Sequence, residues 1–418
     1  MTLLLTFTCQ QHSRIAVAGF SRAAVPSATT AAAGFSKGRP ISRRSATFLD
    51  ELTTNFWNTF STMSNQGPSS SSSKYFTIGI TGSGGCVGTA LRDELSKRDT
   101  VNGKPVRIVR LARGTVAEQK DLLEDETKGG EIRLQWNPMA SSPEEVIDPA
   151  ALAEMDAIIH LSGENVASGL GFLGFLGLRP WTDAKKEEII NSRVITTSAL
   201  AKAMAALPSS SSSFPKSFLV ASGIDAYGAN FIGNALDAVD ESMDISSSGG
   251  FLAEVSRQWE AASAPAQGKK NLRVVNMRFG VVLSTKGGAL AKLYPIFLLG
   301  GGGIVGSGDQ YFSFISARDH ARAIVHTLET PTLQGPVNFC APNPCTNAEF
   351  TSALGKVVSR PTILPLPSFA VSTLFGEMGE EMLLGGTRVV PSKLIKSGFQ
   401  FEHPTIEQAL QSAVKESI

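Results

Sequence analysis

Short apolar runs alternate with amphipathic stretches from Lys74 onward, and that alternation predicts the fold. "YFTIGIT" (75–81) is β-branched and aromatic, and "VGTALRDELSKR" (87–98) carries apolar residues at helical spacing. "PVRIVRLAR" (105–113), "IRLQWN" (132–137) and "MDAIIHLSG" (155–163) read as the second, third and fourth strands. A long amphipathic helix follows over 182–207, then the buried strand "SFLVAS" (217–222) and another apolar run, "LRVVNMRFGVVL" (272–283). Continuous apolar strands separated by helices imply a parallel sheet covered on both faces. The expected fold is therefore a doubly wound α/β domain over 74–340.

Between the first strand and the first helix lies "ITGSGGCVG" (80–88), in which Gly82, Gly85 and Gly88 are spaced G-x-x-G-x-x-G. A glycine loop that closes a strand and opens a helix suits a dinucleotide pyrophosphate. The first glycine permits the tight turn, the second lets the backbone approach the phosphates, and the third lets helix and strand pack closely. The helix N-terminus adds amide donors and a positive dipole. The second strand ends Leu111-Ala112-Arg113, with no acidic residue to hold a ribose 2′-hydroxyl before Glu118. Arg113 suits a 2′-phosphate, so NADP(H) is expected over NAD(H); the alternative is an Arg113 that merely faces solvent.

Charge and composition set the N-terminus apart. The chain has 38 basic and 37 acidic residues, but six of the basic and two of the acidic ones precede residue 66. The remaining body is mildly acidic and lacks the basic footprint that nucleic-acid binding requires. No acidic residue precedes Asp50, while Ser, Thr, Ala and Arg abound. That is transit-peptide composition. "AAVPSATTAAAGFS" (23–36) favours a plastid, with the mitochondrion as the alternative, and "GPSSSSS" (67–73) reads as a linker. The apolar stretch Gly169–Leu178, "GLGFLGFLGL", is too short to span a bilayer. It reads as a loop packed on the protein or a partner, or as one touching a membrane surface. Cys9, Cys86, Cys340 and Cys345 form no CxxC and the five histidines are scattered, so no metal site is expected.

With the glycine loop, several longer motifs carry a resemblance. They include "DAIIHLSGENV" (156–166), "RPWTDAKKEEIINSRVITTSALAKAM" (179–204), "RFGVVLSTKGGALAKL" (278–293) and "GSGDQYFSFISARDHARAI" (306–324). With the tail over 360–404, they make the chain resemble an atypical branch of the extended short-chain dehydrogenases/reductases. That branch is the sugar-epimerase-like NAD(P)-binding family, which has plant members associated with chloroplast division, and the resemblance implies a small C-terminal α/β domain of unknown function over 341–418. The resemblance runs from about residue 76 to 412. It implies NADP(H) held by Gly82, Gly85 and Gly88, with Cys86 and Val87 between them, and by Arg113. Leu161, Ser162 and Gly163 would lie beneath the ribose.

Active members of the superfamily pair a tyrosine with a lysine four residues on, which lowers the phenol's pKa for acid/base work. This chain has no such pair: Gly79, Phe231, Leu298 and Ile315 follow its four tyrosines at that spacing. The helix that should bear the pair, "GGFLAEVSRQWE" (249–260), offers Phe251 or Leu252 and Val255 or Ser256 instead. Ser222, Tyr227 and Glu164 are the remaining catalytic candidates, with Tyr227 either facing the cleft or only packing. Asp225 stands where the family usually has a small neutral residue, and Asp319 and His320 read as structural. Two functions fit: an oxidoreductase with unusual acid/base chemistry on an unidentified small molecule, or a non-catalytic NADP(H)-binding sensor or scaffold.

Overall fold

The structure is a computed structural model that describes residues 74–114, 131–167, 180–208, 215–229 and 238–415. The transit-like segment, the apolar stretch Gly169–Leu178 and the serine tract at 209–213 lie outside the described residues.

Seven parallel strands form the main sheet: β1 (Phe76–Thr81), β2 (Lys104–Arg113), β3 (Glu131–Trp136), β4 (Ala157–His160), β5 (Ser217–Gly223), β6 (Arg273–Phe279) and β7 (Gly335–Phe339). They lie in the order β7-β6-β5-β4-β1-β2-β3, and Thr100–Val101 pairs antiparallel with the start of β2. The order reverses between β1 and β4, where doubly wound sheets open a crevice beyond the strands' carboxyl ends.

Alternation along the strands feeds a separate core on each face. Ile78, Ile80, Ile108, Ile159 and Leu219 face one side with Leu91 and Leu95 of α1 (Cys86–Ser96). Val109, Leu111, Ile158, Phe218 and Val220 face the other, against Leu200 and Met204 of α2 (Asp183–Ala206) and Trp259 of α3 (Phe251–Ala261). Each such side chain removed from water contributes about 1.5–3 kcal/mol, so both helical layers are held by burial rather than by propensity.

The sequence reads 272–283 as one strand, but the chain leaves the sheet at Gly280. Its N–H donates to Phe339 O at 3.0 Å, and an added Cβ would stand 2.9 Å from Ser313 O. Val281–Leu283 then pairs with Phe314–Ser316 in a second lobe. That lobe's core joins Leu283, Phe314, Leu290 and Phe297 of α4 (Gly288–Leu298) to Phe350 and Leu354 of α6 (Asn347–Val358) and Leu410 of α8 (Ile406–Lys415). Between them α5 (Ala317–Glu329) and β7 return to the main sheet, and α7 (Ser368–Gly379) packs its Val371 and Phe375 near Trp181. The lobe is therefore threaded from both sides of residue 340. Asp319, fully buried, accepts from the N–H groups of Glu402 and His403 at 2.9 and 2.7 Å, pinning the tail to α5.

Candidate functional site

The glycine loop is shaped by steric necessity. Gly82 has φ +64°, and an added Cβ would lie 2.9 Å from Leu161 C and O. Gly88 packs harder still, its missing Cβ falling 2.4 Å from Gly82 O and 2.7 Å from Ser83 Cα. The two glycines thus let β1, α1 and the end of β4 meet. At Gly85, by contrast, a Cβ would meet only Gly82 O, at 3.4 Å, and otherwise project into open space. Gly85 is also the N-cap of α1, no side chain caps that terminus, and no acidic residue occupies the first turn. A helix start without a side-chain cap, the helix dipole and a bare backbone together fit a dinucleotide pyrophosphate. Val87 packs into the core beneath, and Cys86 lies against Gly287.

A buried relay fixes the floor of this crevice. Leu161 N–H donates to Thr81 Oγ1 at 3.1 Å, so the Thr81 hydroxyl donates to His160 Nδ1 at 2.7 Å. On the other side His160 Nε2–H reaches Thr196 Oγ1 at 3.1 Å, whose hydroxyl donates to Ser192 O. The network assigns the tautomer, and burial pulls the imidazole down to about 3, which keeps it neutral. Leu161, Ser162 and Gly163 follow directly at the carboxyl end of β4. Gly163 is exposed, and its missing Cβ would lie 3.3 Å from Arg193 Cζ.

Arg113 is exposed at the carboxyl end of β2. Sequence reading missed Arg110, three residues back and so on the opposite face, whose Nε donates to Ser83 Oγ of the glycine loop at 3.3 Å. Period-two alternation along β2 placed Arg110 on the α1 side, and this was the available signal.

Ser222 and Tyr227 do not face the crevice. Ser222 Oγ donates to Glu260 Oε1 at 2.9 Å, Glu260 pairs with Arg278 at 2.8 Å, and Arg278 donates to Tyr227 Oη at 3.0 Å. Tyr227, 1% exposed, in turn donates to Asn338 Oδ1 at 2.8 Å. Burial pushes its phenol up to about 12, the opposite of what an acid/base tyrosine needs. Burial alone would pull Arg278 down, but the hydrogen bonds and charge of Glu260 hold it above its ordinary value. The expectation that these hydroxyls serve catalysis gives way to a buried polar chain joining β5, α3, β6 and β7. A period-two strand end cannot reveal which face its last serine takes once the strand breaks into a turn.

Glu164 is half-buried and paired with Lys185 Nζ at 2.9 Å, while Arg193 Nη2 donates to its backbone O at 2.9 Å. Burial would lower the Lys185 ammonium, but its bonds to Glu164 and Glu188 raise it. Leu252 and Ser256 of α3 are both buried. The first turn of α3 is closed by the C-terminal lobe: Glu381 accepts from Phe251 N–H at 2.6 Å and Leu252 N–H at 2.9 Å. Asp225 sits between these elements, in the turn after β5. It is solvent-exposed yet ringed by protein, and its Oδ2 is 2.9 Å from where a Cβ on Gly223 would fall, with Ser256 Oγ alongside. Those crowded surroundings, with Glu381's charge, push its carboxyl up to about 6 against the opposing pull of Arg193. Among the described residues no cluster of three His, Cys, Asp or Glu side chains could hold a metal ion, and no helix is long and apolar enough to cross a membrane.

Comparison with known proteins agrees with this architecture. Residues 78–339 match the NAD dependent epimerase/dehydratase family and residues 366–413 match a domain of unknown function, DUF1731. The chain is 39% identical to epimerase family protein Mb2239 of Mycobacterium bovis over 80% of its own length and 96% of that protein. The chloroplastic SDR39U1 homolog of Arabidopsis thaliana is 36% identical over 56% of this chain and 65% of its own. The crystal structure of human epimerase family protein SDR39U1 with NADPH superposes with a TM-score of 0.61 at 30% identity, covering 81% of this chain and 99% of that one. The chain belongs to the NAD dependent epimerase/dehydratase family.

Proposed function

We propose that this protein binds NADP(H) across the crevice between β1 and β4 and acts as an atypical oxidoreductase of plastids. The uncapped N-terminus of α1, bare at Gly85, carries the reading. Gly82, Gly85 and Gly88 would hold the pyrophosphate, and Leu161, Ser162 and Gly163 would underlie a ribose. Arg113 would meet the 2′-phosphate, with Arg110 steadying the loop through Ser83. The NADPH in the human relative's structure supports this choice of cofactor, and the chloroplastic relative supports the compartment. When bound, a reduced nicotinamide supplies a hydride to a carbonyl or enone.

The test is calorimetric titration of the chain with NADPH and NADH. NADPH is expected to bind more tightly, and Arg113→Asp to narrow the gap by roughly tenfold, a typical effect for a charge-assisted phosphate contact. Gly85→Asp should abolish binding of both. Absence of binding by the unaltered chain ends this reading.

A second reading is favoured by Leu252 and Ser256, which occupy the helical face where the Tyr/Lys pair is expected. Under it the protein binds NADP(H) without turnover, as a redox sensor or scaffold, in plastids at the envelope or division machinery. Its mark would be tight cofactor binding with no NADPH consumption.

A further inference from the structure

We propose that the Asp225 carboxyl is the proton donor of this site, acting on the oxygen of a carbonyl substrate that carries no negative charge at that end. The inference rests on the oxidoreductase reading above and names the acid that reading lacks.

Position singles Asp225 out. The dinucleotide spans two mononucleotide halves of the sheet, and the half built from β4 and β5 takes the nicotinamide end once the glycine loop of β1 has taken the pyrophosphate. Asp225 stands over Gly223 at the end of β5, against the first turn of α3. The other carboxylates nearby are engaged. Glu164 is paired with Lys185, Glu260 with Arg278, and both oxygens of Glu381 accept from α3 amides. Among the described residues, the Asp225 carboxylate alone of these has no ion pair and no hydrogen bond from another residue, while the residue itself lies at the surface.

The groups facing Asp225 set its behaviour. Arg193 of α2, held by Ile189 O and Glu164 O and stacked on Trp259 at 4.9 Å, draws it towards ionisation. Glu381, from the turn after α7, opposes ionisation, as does the crowding of protein around it. An acid raised to about 6 is protonated in about one molecule in ten at pH 7, far more than an ordinary aspartate, and that form can give its proton to the substrate. The Glu381 carboxylate would repel an anionic group, hence the uncharged substrate end. In the step, a hydride from the reduced nicotinamide enters the carbonyl carbon as the π-pair moves to oxygen, and oxygen takes the Asp225 proton. The carbonyl becomes an alcohol, the nicotinamide is oxidised, and the carboxylate regains its proton from water.

Two measurements on the full chain test this. Carbon NMR of carboxyl-labelled aspartates, wild type minus Asp225→Asn, should give a midpoint near 6; Glu381→Gln, which keeps an acceptor for α3, should lower it. NADPH oxidation would then be followed with a panel of uncharged aldehydes and ketones. The wild-type rate should fall above the NMR midpoint. Asp225→Asn should lose about 100-fold or more, the usual contribution of a general acid, with NADPH affinity within about twofold and partial rescue by Asp225→Glu. If Asp225→Asn turns over normally, or the midpoint is that of an ordinary carboxylate, Asp225 is not the acid and the oxidoreductase reading stands. If the wild type binds NADPH but oxidises it with no carbonyl, the oxidoreductase reading fails and takes this role with it.

Discussion

Replacing Tyr227 by Phe distinguishes a packed tyrosine from a catalytic one. The hydroxyl donates to Asn338 Oδ1 and accepts from the Arg278 guanidinium at 3.0 Å, deep in the protein. Its removal takes one hydrogen bond from a charged donor, about 1.5–3 kcal/mol, and leaves Asn338 Oδ1 short of a donor, about 1 kcal/mol or more. The two losses share one network and do not simply add, so about 2–4 kcal/mol is expected. At about 2 °C per kcal/mol for a chain of this size, the melting temperature should fall by about 4–8 °C. The alkaline limb supplies a second signature. The folded phenol is raised to about 12 from an ordinary 10.0, so the native state holds its proton more tightly than the unfolded chain. That stability is fully present below pH 10 and is lost as pH rises from 10 towards 12, about 1.4 kcal/mol per unit. Thermal melts between pH 8 and 11 should show wild type and Tyr227→Phe converging. NADPH affinity at neutral pH should be unchanged. An unaltered melting temperature together with weakened cofactor binding or turnover would place the hydroxyl in the crevice and refute the reasoning.

Two buried histidines predict acid lability. His160 and His320 are both pulled down to about 3 by burial, and neither ring nitrogen of His320 has a partner between Phe279 and Phe339. The unfolded chain binds these protons first, so stability is full above pH 6.5 and falls as pH drops towards 3. Each histidine should cost about 2–3 kcal/mol by pH 4.5; His320→Leu, followed by urea unfolding across pH, should therefore shift the acid transition downward. In the glycine loop, Gly88→Val forces a side chain into Gly82 O and Ser83 Cα. It should destabilise by about 1–3 kcal/mol or more and abolish NADPH binding in calorimetry. Gly84→Ala, whose Cβ meets nothing within 4 Å, should stay within about 0.5 kcal/mol of wild type.

The sheet was legible because its signal is local. "YFTIGIT" and "SFLVAS" are buried on both faces, and such strands announce themselves by composition. The glycine loop was legible for the same reason, since its spacing reports a backbone constraint that Gly82 and Gly88 both obey. What sequence did not disclose depends on contacts distant along the chain. Ser222 turns away from the crevice because Glu260 waits 38 positions on, and Tyr227 is drawn inward by Arg278 and Asn338. Asp225 owes its raised pKa to crowding and to Glu381, which a linear reading has no means to place beside it. Where the strand over 272–283 ends is likewise set by Ser313 and Phe339 closing around Gly280.

The threading of the second lobe also bears on how the protein is made. Leu283, Leu290, Phe297 and Phe314 leave the ribosome well before Leu354 and Leu410, the partners that cover them. At about 5–20 residues per second, the roughly hundred residues between Phe314 and Leu410 take about 5–20 s to synthesise. During that interval a nascent sheet would already be able to form while half of an apolar core stands open beside it. The newly made chain should therefore be a chaperone client late in translation, and a ribosome stalled near residue 340 would hold it at its stickiest.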